Sequence, residues 1–219
     1  EMSASLVGSE MCIRDSFYLL YTAAFLAVAL ALYLRFFTNG KSLVWSHDGV
    51  PQHLNSLAYY GRYLRQVLYT LFIEHKLSLP LWDMHIGYGS DILTTLHYYV
   101  IGDPLTLLAV FVPESKTETL YAFLIFLRIY LAGIAFSRYS FYHKNSKQAT
   151  FMGTMIYIFA GWTIYAAMKH PYFSNPMIYL PLILLGIDKI YKKEKPYLFI
   201  CATAVAAMSN FYFFYMISI

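Results

Sequence analysis

The chain has 219 residues, of which 59% are hydrophobic and 13% charged, with 22 Tyr and 17 Phe. A soluble domain carries about 25% charged residues, so this composition excludes an ordinary soluble globular domain and indicates an all-α integral membrane protein. The net charge of +4 does not indicate nucleic acid, because Lys and Arg sit in short clusters beside apolar runs, as the positive-inside rule produces.

Residues 1–16 lack the basic start, apolar core and small-residue cleavage site of a signal peptide. Their wording resembles translated sequencing-adapter read-through, and they are expected to be non-native. The chain stops at Ile219 inside an apolar run, which reads as a piece of a longer protein. Cys12 and Cys201 fall in unlike contexts and support neither a disulfide framework nor a metal motif.

Phe17–Phe37 has the length and apolarity of a first membrane span, with Arg35 near its end able to snorkel to the interface. Leu54, Leu57, Gly61, Leu64, Leu68 and Leu71 then recur at helical spacing, with Arg62, Arg65 and Glu74 between them. An apolar stripe beside a basic face predicts a helix lying on the membrane, or one packed into a small extramembrane domain. Residues 79–91 are rich in turn formers. Gly102-Asp103-Pro104 predicts a helix start, with Asp103 as N-cap and Pro104 in the first turn. The run Leu105–Val112 is too short to span and reads as re-entrant or interfacial. Ser115-Lys116-Thr117-Glu118 fits a capping box ahead of a second span, about 119–142. Arg128 within that span should face the bundle or an aqueous cavity. Further spans are expected at about 149–168, 177–190 and 197–219, five in all. The basic loops 143–148 and 189–195 then share one side, the cytoplasm, and loop 38–118 with residues 169–176 lies outside the cell.

The 38–118 loop carries Asp48, Asp83, Asp91 and Asp103 together with His47, His53, His85 and His97. Asp48 follows the first span closely, so it sits near the membrane surface. A carboxylate there can serve as general base toward a hydroxyl, or hold a divalent metal against a phosphate leaving group. Asp48-Gly49 is equally a turn dipeptide. The histidines lack tight ligand spacing, and Gly87-Tyr88-Gly89 follows no strand, so it is too weak for a nucleotide loop.

An ordered set of motifs resembles the bacterial YfhO family of membrane proteins. It comprises Asp48-Gly49 with Gln52, Leu79-Pro80-Leu81-Trp82-Asp83, Gly87-Tyr88-Gly89-Ser90-Asp91, Tyr98-Tyr99 and Gly102-Asp103-Pro104-Leu105. It continues with His170 and Phe173, Leu180-Pro181-Leu182, and Ser209-Asn210-Phe211-Tyr212-Phe213. That family is similar to GT-C glycosyltransferases, whose first outer loop carries the essential acid, a role that would fall on Asp48. The resemblance implies transfer of a sugar from a polyprenyl-phosphate carrier to a cell-envelope acceptor such as lipoteichoic acid, at the outer face of the cell membrane. Gln52, His53, Arg62, Trp82, Asp91, Asp103 and His170 are the residues expected to bind substrate, and Arg62, Arg65 or Arg35 could meet the phosphate. No acidic pair stands beside Asp48, which leaves metal dependence open. The rival expectations are a transporter or flippase-like protein with the loop as its gate, favoured by charges paired within spans, and a non-catalytic membrane scaffold.

Overall fold

The computed structural model describes residues 2–219, with side chains described from Ser16 onward. The reading of residues 1–16 as non-native rests on side chains that, Ser16 apart, lie outside the described ones. Helices dominate (α1 Met2–Thr38, α2 Asn55–Phe72, α3 Ile92–His97, α4 Thr117–Tyr142, α5 Lys147–Ile158, α6 Gly161–Lys169, α7 Pro176–Tyr191, α8 Tyr197–Ser209, α9 Phe211–Ser218). Two of them, Ser16–Thr38 within α1 and the helical stretch Glu114–Tyr142 ending in α4, are long and apolar enough to cross a membrane. The pair α5 and α6 passes the same test together, bent by 43°.

In α1, Phe17, Tyr21, Phe25, Ala29 and Tyr33 are buried at a four-residue spacing, while Leu19, Leu26 and Leu30 remain exposed. Side chains four apart lie on one face of a helix, so α1 offers one aromatic stripe to the bundle. The Tyr21 hydroxyl donates to the Tyr130 carbonyl at 2.8 Å. It fits because position 133 is glycine: a Cβ there would lie 2.1 Å from the Tyr21 oxygen. Helix α4 is the centre of the bundle, packing against α1 through this contact and against α5 and α7.

The three stretches expected as later spans differ from their expected form. The stretch expected at 149–168 breaks at Phe159–Ala160. Helix α7 has 16 residues with Pro181 inside it. Proline removes the bond to the carbonyl four residues earlier, which is that of Met177, and the Tyr157 hydroxyl donates to it at 3.0 Å instead. The run expected at 197–219 divides at Asn210, whose extended backbone ends α8 and whose side chain caps α9 at the Phe213 amide.

Between α1 and α4 the chain packs around α2. Its Gly61 meets a 3₁₀ helix, Pro104–Phe111, so closely that a Cβ would lie 2.9 Å from the Ala109 carbonyl. Arg65 donates to the carbonyls of Ala109 and Val112 at 2.9 and 2.7 Å, closing the end of that helix. The first half of the α2 stripe is thus packed, whereas Leu68, Leu71 and Phe72 stay exposed. The turn-rich stretch forms an antiparallel ribbon of β1 (Trp82–Asp83) and β2 (Ser90–Asp91), with Trp82 opposite Asp91. Asp103 caps the 3₁₀ helix through the Leu105 amide, as expected. The capping box at Ser115–Glu118 does not form: Lys116 precedes α4 without a side-chain cap, because Glu114–Lys116 already winds as a 3₁₀ turn.

Candidate functional site

Asp48 stands at the head of a π-helical turn, Gly49–Leu54, that runs directly into α2. Such turns carry an extra residue per turn and recur at functional sites. Here the turn brings the Gln52 amide back over Asp48, where it donates to Oδ1 at 2.9 Å. Tyr99 in turn donates to the Gln52 carbonyl oxygen at 2.9 Å, which fixes the direction of the amide. The Asp48 carboxylate makes no cap bond to the turn that follows it, so its second oxygen is not consumed locally. The Asp48 side chain keeps 40% of its surface exposed, and its Oδ2 lies 3.9 Å from His170 Nε2.

His170 comes from a distant part of the chain, just past the end of α6. Its Nδ1 lies 2.8 Å from Nε2 of His53, the residue after Gln52. His53 is buried, with its ring against Tyr99 and Tyr172. Burial pushes its pKa down to about 4, reinforced by His170 and opposed by Asp48. Burial also lowers His170, again against the pull of Asp48. Both imidazoles are therefore neutral at pH 7. The Asp48 charge, 3.9 Å away and beyond hydrogen-bond reach, favours the His170 tautomer whose proton is on Nε2, facing Asp48. His170 Nδ1 then accepts from His53 Nε2, and His53 Nδ1 is left as an acceptor. Among the described residues, that buried nitrogen and the buried Tyr121 hydroxyl have no hydrogen-bond partner. Both line a cavity of about 20 Å³ that Arg128 also borders, room for a single water to join them.

Arg128 is buried as its place in an apolar helix requires. Its Nη2 donates to Asp103 Oδ2 at 2.7 Å, and its Nε donates to Asn175 Oδ1 at 2.8 Å. Asn175 closes the triangle by donating to the same Asp103 oxygen at 2.8 Å. Burial works against the Asp103 charge, but Arg128 and Asn175 outweigh it and hold the carboxyl below its ordinary range. The cluster ties the start of the 3₁₀ helix to α4 and to the head of α7.

Of the residues expected to bind substrate, Gln52, His53 and His170 gather around Asp48, and the others are engaged elsewhere. Asp103 lies in the buried cluster. Arg62 pairs with Glu114 on the surface of α2. Asp91 caps α3 through the Thr94 amide at 2.6 Å. Trp82 is exposed in the ribbon. Its neighbour Asp83 accepts from the Tyr59 hydroxyl and from His85, bonds that lower its pKa to about 2. Sequence reasoning did not find the Tyr99 anchor or the Asn175 bridge. Tyr98-Tyr99 was visible as a motif, whereas Asn175 gave no signal beyond its place beside Pro176. Among the described residues, no three His, Cys, Asp or Glu side chains form a group able to hold a metal ion. Asp48 is the one carboxylate of this site, so a magnesium ion would be held there only together with phosphate oxygens of a substrate and water.

The family model described as "Bacterial membrane protein YfhO" matches residues 20–219. The chain belongs to the YfhO family. The Bacillus subtilis (strain 168) protein named "Uncharacterized protein YfhO" is 26% identical over 216 residues, covering 90% of this chain and 24% of the relative. The chain thus spans about a quarter of the length of that YfhO relative. No solved structure matches it.

Proposed function

We propose that this YfhO-family membrane protein serves a glycosyltransferase reaction, moving a sugar from a polyprenyl-phosphate carrier to a cell-envelope acceptor such as lipoteichoic acid at the outer membrane face. The observation that carries the reading is the Asp48 carboxylate, fixed at one oxygen by Gln52 and open at the other beside a neutral His170. In this scheme Asp48 Oδ2 takes the proton of the acceptor hydroxyl as its oxygen bonds to the anomeric carbon. The bond from that carbon to the carrier phosphate breaks, and the phosphate departs with the electron pair. Gln52 and Tyr99 hold the base in place, and His170 with His53 supplies a neutral wall that keeps the carboxylate from being neutralised by a fixed cation.

The test is sugar transfer in membranes supplied with a polyprenyl-phosphate sugar, comparing the native protein with Asp48→Asn at matched expression. A positioned general base contributes about 10²- to 10⁴-fold, so transfer should fall by at least about a hundredfold. Equal transfer in both forms would remove Asp48 from the chemistry.

The buried Arg128–Asp103 pair favours a second reading, a transporter whose 38–118 segment gates a path, because charges paired at membrane depth often line such paths. That reading predicts lipid-carrier flux, without sugar transfer, that depends on Arg128.

A further inference from the structure

We infer that the groove between residues 42–46 and α6 is a binding site for a single-chain lipid phosphate, with Lys169 holding the phosphate and the apolar walls holding the chain. The groove measures about 560 Å³ and is lined by Leu43, Trp45, Ile164, Tyr165, Met168 and Lys169 among others. Phe36, near the end of the membrane-crossing part of α1, also borders it, so its walls reach down to the level of a span. Its surface is mostly apolar, and it carries one cation.

Lys169 is held rather than waving in solvent. Its ammonium lies 4.5 Å from the centre of the Trp45 ring and 4.2 Å from that of Tyr165, and it donates to the Tyr165 hydroxyl at 2.7 Å. Two aromatic faces fix the position of the charge without neutralising it. Among the described residues, Lys169 has no carboxylate partner. Two of the three arginines expected to meet a phosphate are engaged elsewhere: Arg62 is paired with Glu114, and Arg65 is spent on the Ala109 and Val112 carbonyls. A lysine at the last turn of α6 also complements the helix dipole, but that role needs neither the ring clamp nor the groove.

The placement rests on the proposed sugar transfer for its purpose, because the groove adjoins the Asp48 site. Trp45 is the shared wall, and its ring meets His170 edge to face at a centroid distance of 5.8 Å. A lipid phosphate seated on Lys169 would stand one aromatic ring from the His170 that faces Asp48. Charge complementarity selects an anionic headgroup over a neutral or cationic one. The single flanked groove suits one chain and not a flat bilayer surface.

The experiment follows Trp45 fluorescence in the chain carrying Trp82→Phe and Trp162→Phe, purified in an uncharged maltoside detergent. The probe is dodecyl phosphate brominated along its chain, compared with the matching brominated dodecanol and with inorganic phosphate. Saturable quenching by the phosphate is expected, with the alcohol binding about tenfold more weakly or worse, as expected for loss of one charge-assisted contact. Lys169→Gln should weaken the phosphate by a similar factor, and Lys169→Arg should retain it. Equal quenching by alcohol and phosphate, or no change in Lys169→Gln, would overturn the site and leave an ordinary lipid-facing surface. Displacement of the probe by an equal concentration of inorganic phosphate would overturn the role of the chain. Loss of probe binding with sugar transfer intact would sink this site and spare the catalytic reading. Intact probe binding without transfer would do the reverse.

Discussion

Replacing Arg128 with Met keeps the volume and removes the charge from the centre of the bundle. Arg128 and Asp103 are 3% and 2% exposed, so bulk solvent does not replace the lost contacts at the carboxylate. The variant leaves Asp103 with the Asn175 amide and the Leu105 amide as donors, and leaves Asn175 Oδ1 without its guanidinium donor. Breaking one side of a buried pair costs about 3–5 kcal/mol. The double variant Arg128→Met with Asp103→Asn removes the stranded charge and should recover at least about 1.5 kcal/mol of that loss. Unfolding of the detergent-solubilised protein, followed by circular dichroism at pH 7, gives both numbers. The pH dependence supplies a sign. In the native protein the Asp103 carboxyl is held below its ordinary range, so its contribution is complete above the unfolded value of about 4 and is lost as pH falls through the lower folded value. In Arg128→Met the unpaired carboxylate favours protonation, so acidifying from pH 7 toward 5 should cost the variant less stability than it costs the native protein. A cost below about 1 kcal/mol, or a double variant no better than the single one, would refute the role given to the cluster.

Gly102 adopts φ +93°, and a Cβ there would lie 2.0 Å from the Met208 carbonyl oxygen. Gly102→Ala should therefore cost about 3 kcal/mol or more and raise amide exchange from Tyr98 to Asp103. The lowered pKa of His53, about 4 against about 6.5 unfolded, makes the unfolded chain the stronger proton binder between those values. Stability should be complete above pH 6.5 and fall by about 3 kcal/mol as pH drops through 4. His53→Gln should flatten that part of the unfolding-against-pH curve, and an unchanged slope would show that another group sets it.

Much of this arrangement was legible in local sequence, where local rules act. Asp103-Pro104 announced a helix start, and Arg128 in an apolar run announced a side chain facing the bundle or an aqueous cavity. The expectation that residues 169–176 share a side with the first loop already put His170 within reach of Asp48. The contact between His53 and His170 was not legible, because 117 positions separate them and neither lies in a ligand motif. The breaks at Phe159–Ala160 and Asn210 were missed for a different reason. Apolar composition marks a span, but the backbone conformation that interrupts one is decided by what packs on the freed groups. The Met208 carbonyl just before the second break accepts from His97, a partner that hydropathy does not report. The Ser115–Glu118 box shows the converse, a local signal overridden by a turn that had already formed.

The 3.9 Å approach of Asp48 and His170 also orders events during synthesis. Asp48 leaves the ribosome with α1 and α2, but its imidazole neighbour follows only after α4, α5 and α6 have been made. The carboxylate thus spends its early life without the wall that shapes it. The site closes when the bent α5–α6 pair settles against α4 and carries His170 across. A nascent chain halted before residue 170 would present Asp48 and Gln52 without the imidazole that stands beside them in the folded chain.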